Sequence, residues 1–457
     1  MKATNSKFST PIRQATTSTF LACSLVTAIT FLCFSASGLQ AAVDHRKFPT
    51  YPAIQANVDF WEKIYSTYST SQAVIHDRND LTIIYGVIPI INYMLPGAPQ
   101  LNKPAIDRAK QHYSTILIRL AQGVPPTSRD ERHVAALFQG AGSSRLILAS
   151  ESIRTQIGQK ERFREGVVRS GAYLPEIKRI FHSHNLPEEL AYLPHVESSF
   201  NPEAYSKAGA SGLWQFTRST GKTYMRIDDL VDERRDPIIA SHAAAKFLKR
   251  NHSLLDSWPL ALTAYNYGTS GMMRAKKAKG SYENIFLEYQ EGYFKFASRN
   301  FYPSFLAALR VAHRLEQDPS LSRHKPTPTT IVRLSNPASF YTVSRHFNID
   351  STTLKRLNPA ILAPVLKGGQ QLPRGYQLKI PPTGRNQTQY ALIEADRKLL
   401  KNRTNTINTI KAPDRVTKTS SLQGDRQMIP EMSTDFRQQT IIIQATRKPR
   451  KNRTYLQ

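Results

Sequence analysis

Between about Gln156 and Gln317, helix start and stop signals follow one another so closely that the stretch has room for little besides short, capped helices. The clearest case runs from Asp236 to Lys249. Asp236 can cap, Pro237 stands at the first helical position, where a missing N–H costs nothing, and Ile239, Ala243 and Phe247 repeat at i, i+4 and i+8. A second helix, Pro259 to Tyr267, is stopped by Gly268 and places Tyr265 and Asn266 at its C-terminal end. The whole chain, 457 residues with 40% hydrophobic and 21% charged, has the composition of a globular protein with room for several domains. A polytopic membrane protein and a wholly disordered chain are both excluded.

The remaining segments arrange themselves around this helical block. Lys2, Lys7 and Arg13 precede an apolar run from Phe20 to Phe34, and small residues follow from Ser35 to Ala42, the pattern of a signal peptide over residues 1–42. The run is short of the roughly 20 residues that a bilayer span needs. Both cysteines, Cys23 and Cys33, lie inside it, so the exported chain is expected to have no disulfide and no thiolate metal site. Leu32 stands before Cys33 where a lipoprotein signal wants a small residue, so a lipid anchor is not supported. A formal net charge of +28 calls for a polyanionic surroundings, and export makes the cell wall, in the periplasm or cell envelope, a better candidate than nucleic acid. Residues 43–155 show helical patterns broken at Pro89, Pro96-Gly97 and Pro125-Pro126, read as a helical accessory region with no cluster that suggests chemistry. The helical block is assigned residues 156–320 and is closed by a Pro-Thr linker at residues 325–329. Residues 328–382 read as a tethered βααβ unit, and residues 383–457 as a basic disordered tail.

The candidate chemistry begins at Glu197. Leu190, Leu193 and Glu197 stand at i, i+3 and i+7 of a helix opened by Pro187 and kinked at Pro194, which turns the carboxylate toward the apolar side. Burial and the helix C-terminus both disfavour the ionised form of such a group, the condition that suits a general acid. The bland alternative is a glutamate that reaches solvent past Pro194 or pairs with an arginine. Downstream, a glycine-rich loop from Ala204 to Gly212 leads into Leu213-Trp214-Gln215-Phe216, bringing backbone, an aromatic ring and an amide together in a manner suited to sugar binding. Taken singly, Trp214 reads as core, Asn266 as a cap and Tyr265 as a buried aromatic.

Taken together, Glu197-Ser198, Gly212-Leu213-Trp214-Gln215 and Ala264-Tyr265-Asn266 closely resemble, in order and spacing, the three signature motifs of the lytic transglycosylases of glycoside hydrolase family 23. The run Val231-Asp232-Glu233-Arg234-Arg235-Asp236-Pro237 is similar to the membrane-bound type D subgroup of that family, and Leu354-Lys355-Arg356-Leu357-Asn358-Pro359 resembles part of a LysM module, although Ser335-Asn336-Pro337 departs from the usual start. The resemblance implies a mainly α fold: a lysozyme-like helical domain, a preceding helical region and a small βααβ LysM domain. It implies cleavage of the β-1,4 bond from N-acetylmuramic acid to N-acetylglucosamine, with Glu197 as acid and then base, no second catalytic carboxylate and no cofactor. Ser206, Gly212, Leu213, Gln215, Tyr265 and Asn266 would hold the substrate, peptidoglycan glycan strands, and the LysM unit would add avidity without catalytic groups. Phe301 stands where the resemblance implies a tyrosine, leaving Tyr302 or Tyr265 to supply the hydroxyl. A lysozyme-type hydrolase and a catalytically weak wall-binding scaffold are the competing readings. Gly221-Lys222-Thr223 lacks the first glycine and the strand of a phosphate loop, and His182 and His184 lack further ligands at zinc spacing.

Overall fold

A helix that buries Val58, Phe60, Trp61, Ile64 and Tyr65 must find a partner for more than one face, and α1 (Gln55–Ser66) does so against the last helix of the central block, 240 residues further on. The computed structural model describes residues His45–Pro382, so the expected signal peptide and basic tail lie outside the described residues. The described residues from Lys47 belong to one contact unit, and it is mainly helical.

Residues 43–155 depart from the all-helical expectation. After α1 come β1 (Gln72–Asp77) and β2 (Ile84–Pro89), then α2 (Ala98–Ala121), α3 (Arg129–Leu137), α4 (Ser143–Glu151) and β3 (Ile153–Ile157). The strands form an antiparallel sheet in the order β2-β1-β3, with an irregularity between Ile75 and His76. The physical reason is burial. All but the first residue of β1 are buried, so the strand lacks the inside-outside alternation by which a half-buried strand is recognised. Pro89 ends a strand instead of interrupting a helix. Ile75, Tyr85, Tyr113, Leu117, Val134 and Leu146 share the core between this sheet and its helices. The capping box at Ser128 and Glu131 starts α3.

The central block follows as α5 (Lys160–Ser170), α6 (Leu174–Ser183), a 3-10 turn (Glu188–Tyr192), α7 (Pro194–Glu197), α8 (Arg218–Lys222), α9 (Pro237–Leu255), α10 (Trp258–Tyr267), α11 (Thr269–Lys279), α12 (Tyr282–Glu288), α13 (Phe296–Arg299) and α14 (Phe301–Glu316). Asp236 caps α9 as its sequence implies, accepting from the backbone N–H groups of Ile238 (3.0 Å) and Ile239 (3.1 Å). The helix runs on past Lys249 to Leu255 and stops at Asp256 in the left-handed region, φ +49°. Ala243 and Phe247 face the core; Ile239 is half-buried. Gly268 ends α10 at φ +94°.

The N-terminal region is joined to this block at several points. Trp61 Nε1 and Asn57 Nδ2 both donate to Asn300 Oδ1, at 3.2 and 2.8 Å, and Glu62 accepts from Arg310 (3.0 Å) and Arg314 (2.8 Å). Phe48 packs its ring against Phe305 and Trp258.

The C-terminal module comprises β4 (Thr330–Arg333), α15 (Phe340–His346), α16 (Ser351–Leu357), α17 (Ala363–Leu366) and β5 (Gln377–Ile380), one short helix more than the expected βααβ order. Its strands pair antiparallel, Thr330 opposite Ile380. Asn358 ties helix to strand: its Nδ2 donates to the carbonyls of Leu354 (2.8 Å) and Lys379 (2.7 Å), and its Oδ1 accepts from Lys379 N–H (2.8 Å). Despite the linker, the module is docked. Val231, from the central block, is buried in the module's own hydrophobic core with Val332, Phe340, Leu354 and Ile361.

Candidate active site

Glu197 is delivered by a broken segment. Pro187 precedes the 3-10 turn as its N-terminal cap, and Pro194 opens a separate helix of four residues instead of kinking one continuous helix. The result matches the expected facing: Leu190 and Leu193 are fully buried, and Glu197, half-buried at the C-terminal end of α7, lines a cleft. The turn that follows is strained, because Ser199 (φ +53°) and Phe200 (φ +54°) are consecutive left-handed residues with side chains. The surroundings hold it there. Arg169 donates to the Ser199 carbonyl from Nε (3.1 Å) and Nη2 (2.8 Å), Gly166 leaves space for that carbonyl, and Phe200 is buried against the His195 ring. Ser198 Oγ donates to the Leu213 carbonyl at 2.8 Å, joining the glutamate turn to the glycine-rich loop.

That loop is shaped from within. Ser206 N–H donates to the Ala210 carbonyl, and Ala210 N–H donates to Ser206 Oγ, both at 2.9 Å. Gln215 is held at φ +48°, and its Nε2 donates to the carbonyls of Gly212 (2.8 Å) and Ala204 (3.3 Å). The side-chain oxygen of Gln215 and the hydroxyl proton of Ser206 are the groups these bonds leave for other use. Tyr265 donates its hydroxyl to the Trp214 carbonyl at 2.8 Å, and Asn266 Oδ1 accepts from Ser298 Oγ at 2.9 Å.

Glu197, Ser206, Gln215, Tyr265 and Asn266 thus line one open cleft of about 820 Å³, its mouth included. Gly212 and Leu213 do not line it. Gly212, at φ +77°, presses so close to Arg234 that a Cβ would lie 1.9 Å from its carbonyl oxygen, and its own N–H donates to the Ala204 carbonyl. Leu213 is completely buried. Trp214 is likewise core, stacked on Phe181 and donating from Nε1 to Ser241 Oγ at 2.8 Å, so the aromatic surface expected beside the loop comes from elsewhere.

It comes largely from chain that showed no sign of chemistry. Trp61 and Tyr65 of α1, with Gln159 and Arg162 at the start of α5, complete the lining together with Phe301. Tyr65 is stacked on Phe163, ring centroids 4.7 Å apart. Tyr302 is no substitute for the hydroxyl that Phe301 lacks: it is fully buried outside the cleft, and its hydroxyl donates to the Pro49 carbonyl at 2.9 Å. The phenol added to the site is Tyr65. A spacing signal existed, since Trp61 and Tyr65 fall at i and i+4 with Asn57 one turn earlier, but the same spacing marks any buried helix face.

The electrostatics follow from burial and one charge. Burial pushes the Tyr65 and Tyr265 phenols up, and the neighbouring Glu197 carboxylate pushes both further, so both keep their protons at neutral pH. Burial and Arg169 push Arg162 down to about 10, which leaves it cationic in the cleft. His195, two residues before Glu197, has no hydrogen-bond partner at either ring nitrogen and is enclosed by Phe163, Tyr192 and Phe200. Burial, with the charge of Arg169 and the nearby His313, holds it down to about 3, so it stays neutral at the pH where the cleft would work. Among the described residues, Glu197 is the one carboxylate lining the cleft, and no group of three His, Cys, Asp or Glu could hold a metal ion.

Residues 177–286 match the family model of the Transglycosylase SLT domain. Over 135 residues the chain is 34% identical to Membrane-bound lytic murein transglycosylase D of Escherichia coli strain K12, and equally to that of strain O6:H1. The matched part is 28% of this chain and 30% of each relative, so less than a third of the relatives' length is spanned. Among solved structures, an inactive mutant of Lytic Transglycosylase Slt from Pseudomonas aeruginosa is similar at 17% identity and a TM-score of 0.26, covering 33% of this chain and 25% of that one. The SLT match contains Glu197, the loop, Tyr265 and Asn266; Trp61, Tyr65, Gln159, Arg162, Phe301 and the C-terminal module fall outside it.

Proposed function

We propose that the protein is a lytic transglycosylase of peptidoglycan that cuts the N-acetylmuramic acid to N-acetylglucosamine β-1,4 bond without water and leaves 1,6-anhydro ends. The observation that carries the reading is a cleft lined by one carboxylate, Glu197, among phenols and amides. Glycosidases that use two carboxylates set them about 5–9.5 Å apart across the scissile bond, and no second one lines this cleft among the described residues. A single carboxyl group can do both proton transfers if the substrate supplies the nucleophile.

In the first step Glu197, protonated, gives its proton to the glycosidic oxygen, and the bond from that oxygen to the anomeric carbon breaks. The acetamido group of the muramoyl ring stabilises the positive centre left behind. In the second step the 6-hydroxyl oxygen of the same ring bonds to the anomeric carbon, and its proton passes to the Glu197 carboxylate, which restores the acid. General acid and base help of this kind contributes about 10²–10⁴-fold. The ring's own hydroxyl outcompetes water through its high effective concentration.

The hydrogen bonds within the loop support one direction for each proposed substrate contact. Gln215, its Nε2 engaged by Gly212 and Ala204, accepts an acetamido N–H through its oxygen, while Ser206 donates to a sugar oxygen. Tyr265 and Asn266 fix the reacting ring against Glu197, and Tyr65 with Trp61 adds aromatic wall that excludes water. Arg162 supplies positive charge for the acidic substituents of the wall glycan. An exported protein at the cell envelope, and a LysM-type role for the C-terminal module in holding glycan, belong to the same reading. Mass spectrometry of fragments released from purified wall tests it. Anhydro ends, lighter by one water than reducing ends, are expected; predominantly reducing ends would establish the hydrolase reading instead.

A further inference from the structure

The run from Leu230 to Pro237 lies between two parts of the molecule that the linker was expected to keep apart. On one side it meets the C-terminal module. Val231 pairs with Ile361 in an isolated β-bridge, Asp232 N–H donates to the Ala360 carbonyl at 2.8 Å, and Leu362 N–H donates to the Leu230 carbonyl at 2.9 Å. Lys379 of β5 places Nζ 2.7 and 2.6 Å from the two oxygens of Asp236, the cap of α9, with both side chains largely buried.

On its other side the same run grips the substrate loop. Arg234 makes a two-pronged bond with Asp232, Nε to Oδ1 at 2.9 Å and Nη2 to Oδ2 at 2.7 Å, and this ion pair is buried. Arg234 Nη1 then donates to the carbonyls of Gly209 (2.7 Å) and Phe216 (3.1 Å), at the two ends of the stretch that carries Gln215. The Arg234 carbonyl is the atom against which Gly212 is packed. One strip of backbone therefore carries the module on one edge and holds the loop of Ser206 and Gln215 on the other.

We propose that the docked C-terminal module is a brace for the substrate-binding loop, acting through Lys379, Asp236 and the Asp232–Arg234 pair, in addition to any hold it has on the wall. Lys379 and Arg234 are positioning residues in this account, since neither lines the cleft. The catalytic consequence rests on the transglycosylase reading; the mechanical one does not. Loss of the brace loosens Ser206 and Gln215 more than Glu197, because the glutamate turn, although linked to the loop through Ser198 and Leu213, is also held by Arg169 from outside it.

The test is Lys379→Met in the full chain, with Lys379→Arg as the charge-keeping control and Lys379→Gln in its place if the Met variant does not fold. Amide exchange of residues 204–216 is expected to accelerate about tenfold or more in the Met variant, while the region around Ser199 keeps its protection. On soluble glycan, where wall avidity plays no part, KM is expected to rise about three- to tenfold with kcat changed less than about twofold, and Lys379→Arg to recover most of the loss. Faster exchange confined to residues 328–382, with the 204–216 loop unchanged, would overturn the brace. Accelerated loop exchange in a protein whose wild type cleaves no glycan would sustain the brace and remove the enzymatic reading.

Discussion

The two sides of the cleft are built by opposite means. The side from α7 to α10 holds its polar groups on strained backbone: Ser199, Phe200 and Gln215 are three of the six non-glycine residues with positive φ among the described residues, and they flank or carry the proposed chemistry. Each such residue costs about 1–3 kcal/mol and persists only where its neighbours fix it. The side from α1 is an unstrained helix that offers rings. Trp61 and Tyr65 enter the cleft through ordinary helical spacing, and the helix that carries them is held by the bonds of Trp61 to Asn300 and of Glu62 to Arg310. Strain is found where, on the proposed reading, atoms are aimed at the substrate. Where the need is to exclude water and present a ring, a packed helix is enough.

The comparison can be broken first at Trp61. This ring is buried and links α1 to Asn300, the residue before Phe301, so Trp61→Ala is expected to cost about 3–5 kcal/mol of stability in a denaturant titration. Activity should fall with it, because the rings of α1 would no longer be held at the cleft. A stable variant with unchanged turnover would show that the helix is only an outer support.

Each region also buries a neutral histidine, which allows the two to be compared by pH. His76 of β1 lies between Phe60 and Phe296, and His195 among Phe163, Tyr192 and Phe200. Burial holds both down to about 3, against an ordinary value of 6.5. Below pH 6.5 the unfolded chain takes up these protons and the folded chain does not. Stability should therefore be fullest above pH 6.5 and fall as the pH drops toward 3, at about 1.4 kcal/mol per unit for each histidine. Replacing either ring with Phe should halve that part of the slope. A stability curve flat from pH 7 to pH 4 would contradict the burial of both.

A smaller and sharper test uses the two hydroxyl positions. Tyr65→Phe removes the phenol hydroxyl that lines the cleft with Glu197 and should slow cleavage by about tenfold, whereas Phe301→Tyr should change it by less than that, since the cleft already has the Tyr65 phenol. The reverse order of effects would place the useful hydroxyl on α14.

How much of this the sequence revealed differed along the same lines. The capped helix after Asp236, the stop at Gly268 and the inward-facing Glu197 could be read from local signals, because caps and left-handed glycines act within a few residues. The sheet of the N-terminal region could not, because β1 is buried along nearly its whole length and shows no alternation. Trp61 and Tyr65 were hidden for another reason: a buried aromatic face says that a partner exists but not which of two distant helices provides it. The packing role of Gly212 was hidden too. Its φ and its freedom from a Cβ serve the close approach to Arg234, and a glycine in a sequence gives no indication of which surface comes near it.

The central claim is that one carboxyl group, Glu197, carries both proton transfers in a cleft completed by the N-terminal helix. Glu197→Gln keeps the size and polarity of the side chain and removes the exchangeable proton. The most direct measurement is the rate of wall cleavage by this variant, beside its melting temperature and its sedimentation with purified wall. A loss of about 10²–10⁴-fold, with folding and wall binding retained, is the result the account predicts. Cleavage within about tenfold of the wild-type rate would contradict it and place the proton on another group.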